Sequence, residues 1–482
     1  MDHETEGLWI DGRRVPAAFG QTTDVHNPAT GEVLSSVAQA GPEDVDAAVA
    51  AAQRAWERGD WRRASTSERA RVLLRLADLI RTAAPELSEL ESQNVGKPVQ
   101  ESRGEIEMGA SCFQYYAGLI PAFGGQTVPV GAPGTGLTFR EPVGVCALIV
   151  PWNFPFAITT WKVAPALALG NSVVVKPASA TPLTALRLAE LAHEAGVPPG
   201  VLNVIPGPGG AAGAALASHP GVRKVAFTGS TEVGIEIQRL AAADVKRVSL
   251  ELGGKSASLV FADADLEKAA GAVFSVFGNA GQDCCARSRI LVERPVYQEF
   301  VDRFVERTRA IRLGDPLDEA TEMGPLISPS HRDRVDGFVR RAVEQGATLC
   351  CGGQAKTGDP WDRGSFYEPA VFRDVDPDLE IARDEVFGPV VAILPFDNEE
   401  EAIRLANASI YGLSGSLWTR DLARALRVVR AVEIGVISVN TSWSVHLEMP
   451  FGGFKRSGVG RELGPSALDH YSEWKSVFIS SD

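Results

Sequence analysis

Apolar residues along the chain fall into distinct patterns. In "STSERARVLLRLADLIRTAA", Val72, Leu73, Leu76, Leu79 and Ile80 recur at helical intervals, and Ser65 with Glu68 has the spacing of a capping box. "PEDVDAAVAAAQRAWE" predicts a second helix, opened by Pro42. The first third of the chain is therefore expected to be mostly helical. Between Phe123 and Gly136, "FGGQTVPVGAPGTG" carries too many glycines and prolines for a helix and reads as irregular or edge-strand chain.

From Val145 onward, short continuous apolar runs alternate with helical stretches. "VCALIV", "SVVVKP", "VLNVIP" and "KVAFTG" begin about 23 to 29 residues apart, which suits successive βαβ units and a parallel, doubly wound sheet. A second alternating α/β region runs from Glu251 to about Phe454, with "SASLVF", "SRILVE", "GPVVAILPF" and "GVISVN" as its clearest strands. The tail "HYSEWKSVFISS" alternates like a strand, and a terminal strand of that kind often pairs with a neighbouring subunit.

Composition narrows the class. At 482 residues the chain exceeds one ordinary core, so two or three domains are expected. A net charge of −14 argues against nucleic acid, whose phosphates need a basic surface. The N-terminal stretch is acidic and lacks an apolar signal core, and the longest apolar stretch is cut by Pro151, Asn153, Pro155, Lys162 and Pro165, so no membrane span is expected. The six cysteines are two singletons, Cys112 and Cys146, and two vicinal pairs, Cys284/Cys285 and Cys350/Cys351. They form neither a metal-ligand spacing nor a disulfide framework, so no metal and a reducing, cytoplasmic setting are expected.

Candidate chemistry sits at four places. "VIPGPGGAAG" places Gly207-x-Gly209-x-x-Ala212 after a strand, a loose dinucleotide fingerprint. "AFTGSTEVG" runs a strand into Thr228-Gly229-Ser230 and a helix, where backbone N–H groups and the Ser230 hydroxyl could bind a pyrophosphate, or simply cap the helix. Glu251 in "SLELGGKSA" ends a buried strand before a Gly253-Gly254 bend. It is either a structural salt-bridge partner or a general base with a raised pKa. In "FGNAGQDCCARSR", Asn279, Gly281 and Gln282 form a loop before Cys284, a placement that suits a nucleophile. Cys285, one position on, is expected to point the other way. No histidine lies near in sequence, so a Cys–His hydrolase finds no support.

Seven motifs in order, "PWNFP", "VVKPAS", "FTGSTEVG", "LELGGKS", "FGNAGQDCC", "DEVFGPV" and "PFGGFKRSGVGRELG", together resemble the aldehyde dehydrogenase superfamily over essentially the whole chain. The resemblance implies an α/β fold in three parts. These are a Rossmann-like NAD(P)-binding domain (residues 1–123 and 143–252), an α/β catalytic domain (253–456), and a small β bridging element (124–142 and 457–482) that builds a homodimer or homotetramer. It implies oxidation of a small-molecule aldehyde to an acid, with Cys284 as nucleophile and Glu251 activating water. Asn153 and the Cys284 N–H would hold the oxyanion.

Lys176, counted with the catalytic residues, would also reach the adenosine ribose. Glu385 would hold the nicotinamide ribose with Phe387 nearby. Ile149, Val150, Pro151, Trp152, Gly209, Gly213, Phe227, Thr228, Gly229, Ser230, Val233 and Leu252 would complete the NAD site. Ser179 stands where NAD-preferring relatives usually carry a glutamate, so NADP use is also expected. The presence of Glu251 favours hydrolysis over transfer of the acyl group to coenzyme A. Intact Cys284, Glu251 and Asn153 argue against a purely structural protein of the same fold.

For the substrate, Trp161 replaces the arginine of relatives that take acidic semialdehydes. Asp283 and Glu448 could instead hold an ammonium, with Trp161 and Trp443 as aromatic faces. Phe154 and Val445 complete the expected substrate lining, and an aminoaldehyde such as 4-aminobutanal is the suggested substrate. Alternatives are a neutral aliphatic or aromatic aldehyde.

Overall fold

The short apolar runs after Val145 pair side by side. In the computed structural model, which describes residues 5–481, an eight-stranded sheet has the order Gly458–Val459, Arg247–Glu251, Lys224–Thr228, Val145–Ile149, Ser172–Lys176, Leu202–Val204, Leu8–Ile10, Arg13–Val15. The five strands from Arg247–Glu251 to Leu202–Val204 are parallel, and the edge strands are antiparallel. Val145–Ile149 is first of the five in the chain yet sits at their centre, so the strand order reverses beside it. That reversal opens a crevice at the carboxyl ends, where ligands bind in open α/β sheets.

Apolar side chains cover both faces of this sheet. Val145, Ala147 and Ile149 belong to one core cluster, and Cys146 and Leu148 to another. The alternation follows from the two-residue period of a strand. The helix Thr66–Thr82 forms as expected, with Ser65 and Glu68 capping each other reciprocally. The helix Pro155–Ala168 is buried along its whole length, as its apolar composition all round requires.

A second, seven-stranded sheet runs Thr348–Cys351, Ala370–Arg373, Val390–Phe396, Arg289–Glu293, Ala257–Val260, Ser414–Trp418, Val436–Val439. Only Thr348–Cys351 is antiparallel. It has its own core, which includes Phe261, Phe277, Phe300, Phe304 and Phe396.

A three-stranded antiparallel sheet joins Ser472–Ser480 to Gly134–Pro142 and Thr127–Val128, so the tail finds its first partner within its own chain. On this sheet Phe139, Trp474, Phe478 and Ile479 are exposed. Gly458–Val459, within the stretch expected to belong to the bridging element, adds an edge strand to the first sheet.

The expectation of a mostly helical first third needs correction before residue 42. Thr5–Glu6, Thr22–His26 and Val33–Ala38 form a small sheet, and Leu8–Ile10 and Arg13–Val15 extend the large one. These strands are two to six residues long, and Thr22–His26 buries only Val25. Their apolar signal is too weak to read by periodicity. No described helix is long and apolar enough to cross a membrane.

Candidate active site

The loop before Cys284 adopts a backbone that few sequences accept. Asn279, Ala280 and Gly281 take φ values of 47°, 54° and 70°, three consecutive left-handed residues. Each such non-glycine residue costs about 1–2 kcal/mol, so neighbours must hold the loop in place. Gly281 is required twice over, since a β-carbon there would also lie 2.2 Å from the Gly388 carbonyl oxygen.

The neighbours are a closed set of hydrogen bonds. Buried Gln282 donates to the Asn279 carbonyl at 3.0 Å and accepts from the Ile327 N–H at 2.8 Å. Asn279 donates through its amide to the Asn153 carbonyl at 2.9 Å, and its N–H donates to Glu101 at 3.1 Å. Asn153 donates in return to the Gln282 carbonyl at 2.9 Å. One of the two Asn153 amide hydrogens is thereby used to fix the loop.

Cys284 is half-buried at the end of this loop and Cys285 is buried. The expectation that Cys285 turns away is overturned: its sulfur, the Cys284 sulfur and an Asp283 carboxylate oxygen all lie within 4.8 Å of one another. The backbone is not extended here, so the side-to-side alternation of a strand does not apply. The Cys284 S–H donates to Cys285, and this bond together with burial holds the Cys284 thiol well above its ordinary pKa. Asp283 accepts the Cys285 N–H at 2.8 Å, and burial raises its carboxyl.

The bend after Glu251 meets the loop from the first sheet. A β-carbon at Gly254 would lie 2.4 Å from the Cys284 carbonyl, and one at Gly253 would lie 2.3 Å from Glu385 Oε2. The Gly254 N–H donates to Glu385 Oε1 at 2.8 Å. The two glycines thus let Cys284 and Glu385 approach one bend from different sides. Burial pushes the Glu385 carboxyl up to about 7.

Glu251 is no salt-bridge partner. It is buried and neither carboxylate oxygen has a hydrogen-bond partner. Burial first, and then the charge of Glu462, hold its pKa well above the usual carboxylate value, while Lys162 and Arg461 pull the other way. Lys162 and Glu462 form a buried ion pair at 2.5 Å, whose Glu462 Oε2 is itself unpartnered. Glu251 is therefore a buried carboxyl with a raised pKa and no structural bond to give up.

The expected cofactor residues gather at the crevice. Ser230 caps the helix Thr231–Ala242, accepting the Val233 N–H at 3.4 Å, and Ser230 and Val233 are exposed there. Thr228 has a buried hydroxyl without a partner, and the Gly229 N–H donates to the Glu251 carbonyl. Phe227 packs beneath Gly229, and buried Leu252 beneath Gly234. Lys176 is buried, donates to the Pro177 and Gly207 carbonyls at 2.8 and 3.2 Å, and is lowered to about 8 by burial. Gly213 packs on its stem, while Gly209 has open space around it.

The Ser179 hydroxyl donates to Gln39 Oε1 at 3.1 Å. Ile149 and Val150 have buried side chains, so only their backbone can face a ligand, whereas Pro151 and Trp152 are half-buried. Trp152 packs edge-on against Phe387 at 5.4 Å and against His331 at 5.5 Å, and His331 bonds the Phe387 carbonyl at 2.8 Å. A helix N-terminus, an amine donor and a carboxylate around one crevice fit a dinucleotide.

The expected substrate residues divide. Phe154 and Val445 are half-buried, packed with Met108, Tyr115 and Leu447 against the first core, as is Cys284. The ring face of Phe154 is covered by the Lys97 ammonium at 4.1 Å. Trp161 is 8% exposed and packs on Phe451, with its indole N–H unpartnered, so it presents little face to a cation. Trp443 and Glu448 are exposed.

Sequence reading missed Glu101, Lys162, Glu462, Arg287 and His331. Burial raises Glu101 to about 7, and its carboxylate feels Asp283. Lys162 alone carried a legible signal, as a charge inside an otherwise apolar helix. A surface cavity of 530 Å³ beside Cys350, Arg309 and Arg373 shares none of these residues.

The profile of the aldehyde dehydrogenase family matches residues 15–477. The chain belongs to the aldehyde dehydrogenase family. It is 46% identical to the mitochondrial aldehyde dehydrogenase of Rattus norvegicus, covering 98% of this chain and 91% of that one. Identity with the betaine aldehyde dehydrogenase of Bacillus subtilis (strain 168) is 42%, over 98% and 97% of the two chains. The crystal structure of betaine aldehyde dehydrogenase from Staphylococcus aureus in complex with NAD+ superposes with a TM-score of 0.97 at 38% identity, covering 99% of this chain and 95% of that one. This member is thus an oxidoreductase acting on aldehydes, and the motifs that resembled the superfamily did identify it.

Proposed function

We propose that this enzyme oxidises an aminoaldehyde, of the size of 4-aminobutanal, to the amino acid with NAD as oxidant. The observation that carries the substrate class is a pair of half-buried carboxylates. Asp283 adjoins Cys284, and Glu101 lies on the same loop through the Asn279 N–H. The nearby cations are already engaged, Lys97 by Glu105 and Phe154, and Arg287 by the Cys285 carbonyl and Ser444. A substrate ammonium is the charge the site still lacks.

The chain's own residues divide the work. Cys284, once deprotonated, adds to the aldehyde carbon, and the second Asn153 hydrogen with the Cys284 N–H receives the oxyanion. Trp152, Phe387 and Glu385 would position a bound NAD, whose nicotinamide would supply the hydride acceptor, and Ser230 and Lys176 would hold its phosphates and adenosine ribose. Glu251 takes a proton from the water that hydrolyses the Cys284 thioester. Ser179, bonded to Gln39, puts no carboxylate against a 2′-phosphate, so NADP serves as a second cofactor.

The eight-stranded sheet would then form the cofactor domain, the seven-stranded sheet the catalytic domain, and the sheet of Ser472–Ser480 with Gly134–Pro142 the bridging element. Exposed Trp474 and Phe478 on that last sheet suit a homodimer or homotetramer.

The test is NADH formation with 4-aminobutanal, betaine aldehyde, hexanal, benzaldehyde and succinic semialdehyde, without coenzyme A. A kcat/KM for 4-aminobutanal well above that for hexanal, lost in Asp283→Asn, supports the reading. Equal values would overturn the substrate and leave a neutral-aldehyde dehydrogenase, the second reading, favoured by the apolar walls of Met108, Tyr115, Phe154, Val445 and Leu447.

A further inference from the structure

Aldehyde oxidation needs one thiol at this site, yet the fold brings together two thiols and a carboxylate. Asp283, Cys284 and Cys285 each place one ligand-type atom within 4.8 Å of the others, the sole such trio of His, Cys, Asp or Glu among the described residues. No spacing motif announces it, because the three are consecutive in sequence and an extended backbone would separate them. The left-handed turn at Asn279, Ala280 and Gly281 leads into the conformation that gathers them.

We propose that this trio is a binding site for a thiophilic divalent cation of the Zn2+ class, and that occupancy reversibly blocks the Cys284 nucleophile. Zinc takes thiolates at about 2.3 Å and carboxylate oxygen at about 2.0–2.2 Å in tetrahedral geometry, which sets the sulfurs about 3.8 Å apart. The observed cluster keeps its ligand atoms within 4.8 Å of one another, a separation compatible with that spacing, and water would fill the fourth position. Two thiolates and one carboxylate around a dication leave one negative charge. The fully buried Arg287 guanidinium, which holds the Cys285 carbonyl, lies beside the cluster to balance it.

Access runs through the half-buried Cys284, while buried Cys285 is the inner anchor. On binding, two S–H bonds break and two metal–sulfur bonds form, both protons pass to solvent, and no oxidant is consumed. The site does not depend on which aldehyde is the substrate.

The test uses the metal alone on the full-length enzyme. Cd2+ titration should produce an ultraviolet thiolate-to-metal charge-transfer band of two-thiolate intensity, and Zn2+ should inhibit reversibly, relieved by a chelator. Cys285→Ser, read against its own metal-free turnover, should weaken Zn2+ inhibition by about tenfold or more, a loss of roughly 1.4 kcal/mol. Cys284→Ser, read by the cadmium band alone, should fall to one-thiolate intensity, which keeps the test decisive if Cys285→Ser folds poorly. The double substitution Cys350→Ser/Cys351→Ser should change neither readout. Equal Zn2+ inhibition of wild type and Cys285→Ser, or a one-thiolate band in the wild type, would overturn the proposal.

Discussion

Two vicinal cysteine pairs occur in this chain, and they occupy opposite kinds of backbone. Cys350 and Cys351 close the edge strand Thr348–Cys351 of the second sheet. Their neighbours are a strand partner, Arg309 on the Cys350 carbonyl, and the Cys351 register shift to Val371. Burial raises both thiols, Cys351 to about 11. Cys284 and Cys285 follow three left-handed residues, amid Asp283, Arg287 and the Glu251 bend. The comparison teaches that residue type and adjacency carry no chemistry by themselves. What differs is a strained loop whose cost is met by Gln282, Asn279 and Asn153 bonding one another.

The largest way to break this comparison is Cys284→Ser, for which we expect a loss of about 10³-fold or more in kcat. Comparable loss in Cys350→Ser would erase the distinction between the pairs. Next, Glu251→Gln should lower steady-state turnover about 10²–10³-fold while a first-turnover burst of NADH survives, because only hydrolysis needs the base. Rapid-mixing absorbance separates the two phases. Asn153→Ala should cost about 10²-fold, combining a lost oxyanion donor with a loosened loop.

A pH profile sharpens the comparison further. Glu251 works deprotonated, so turnover should fall on acidification at a pH well above the ordinary carboxylate value of 4.5. Glu462→Gln removes a charge that raises Glu251 and frees Lys162 to lower it, so the acid limb should shift to lower pH. An unmoved limb would dissociate Glu251 from the pair. The smallest effect is expected for Cys350→Ser with Cys351→Ser: turnover within about twofold and stability within about 1 kcal/mol, read by thermal unfolding.

The parallel strands from Val145, Ser172, Leu202 and Lys224 were legible because each is a continuous apolar run buried on both faces. The N-terminal strands were not, because runs of two to six residues are too short to show a period. At the site, Cys284, Glu251 and Ser230 stood out, since each ends an element beside glycine or a capping position. Glu101, separated from Asn279 by 178 residues, and Glu462, separated from Lys162 by 300, could not stand out as partners.

By itself the sequence determined the main parallel strands and the longer helices, and which residue types could act as nucleophile, base and phosphate cap. Those follow from local periodicity, turn chemistry and side-chain reactivity. Only the tertiary structure decided that Glu251 lacks a partner, that Cys285 faces Cys284, and that a second carboxylate reaches the loop. Burial and charge act through space over a few ångströms, and residues hundreds of positions apart supply the atoms that set them.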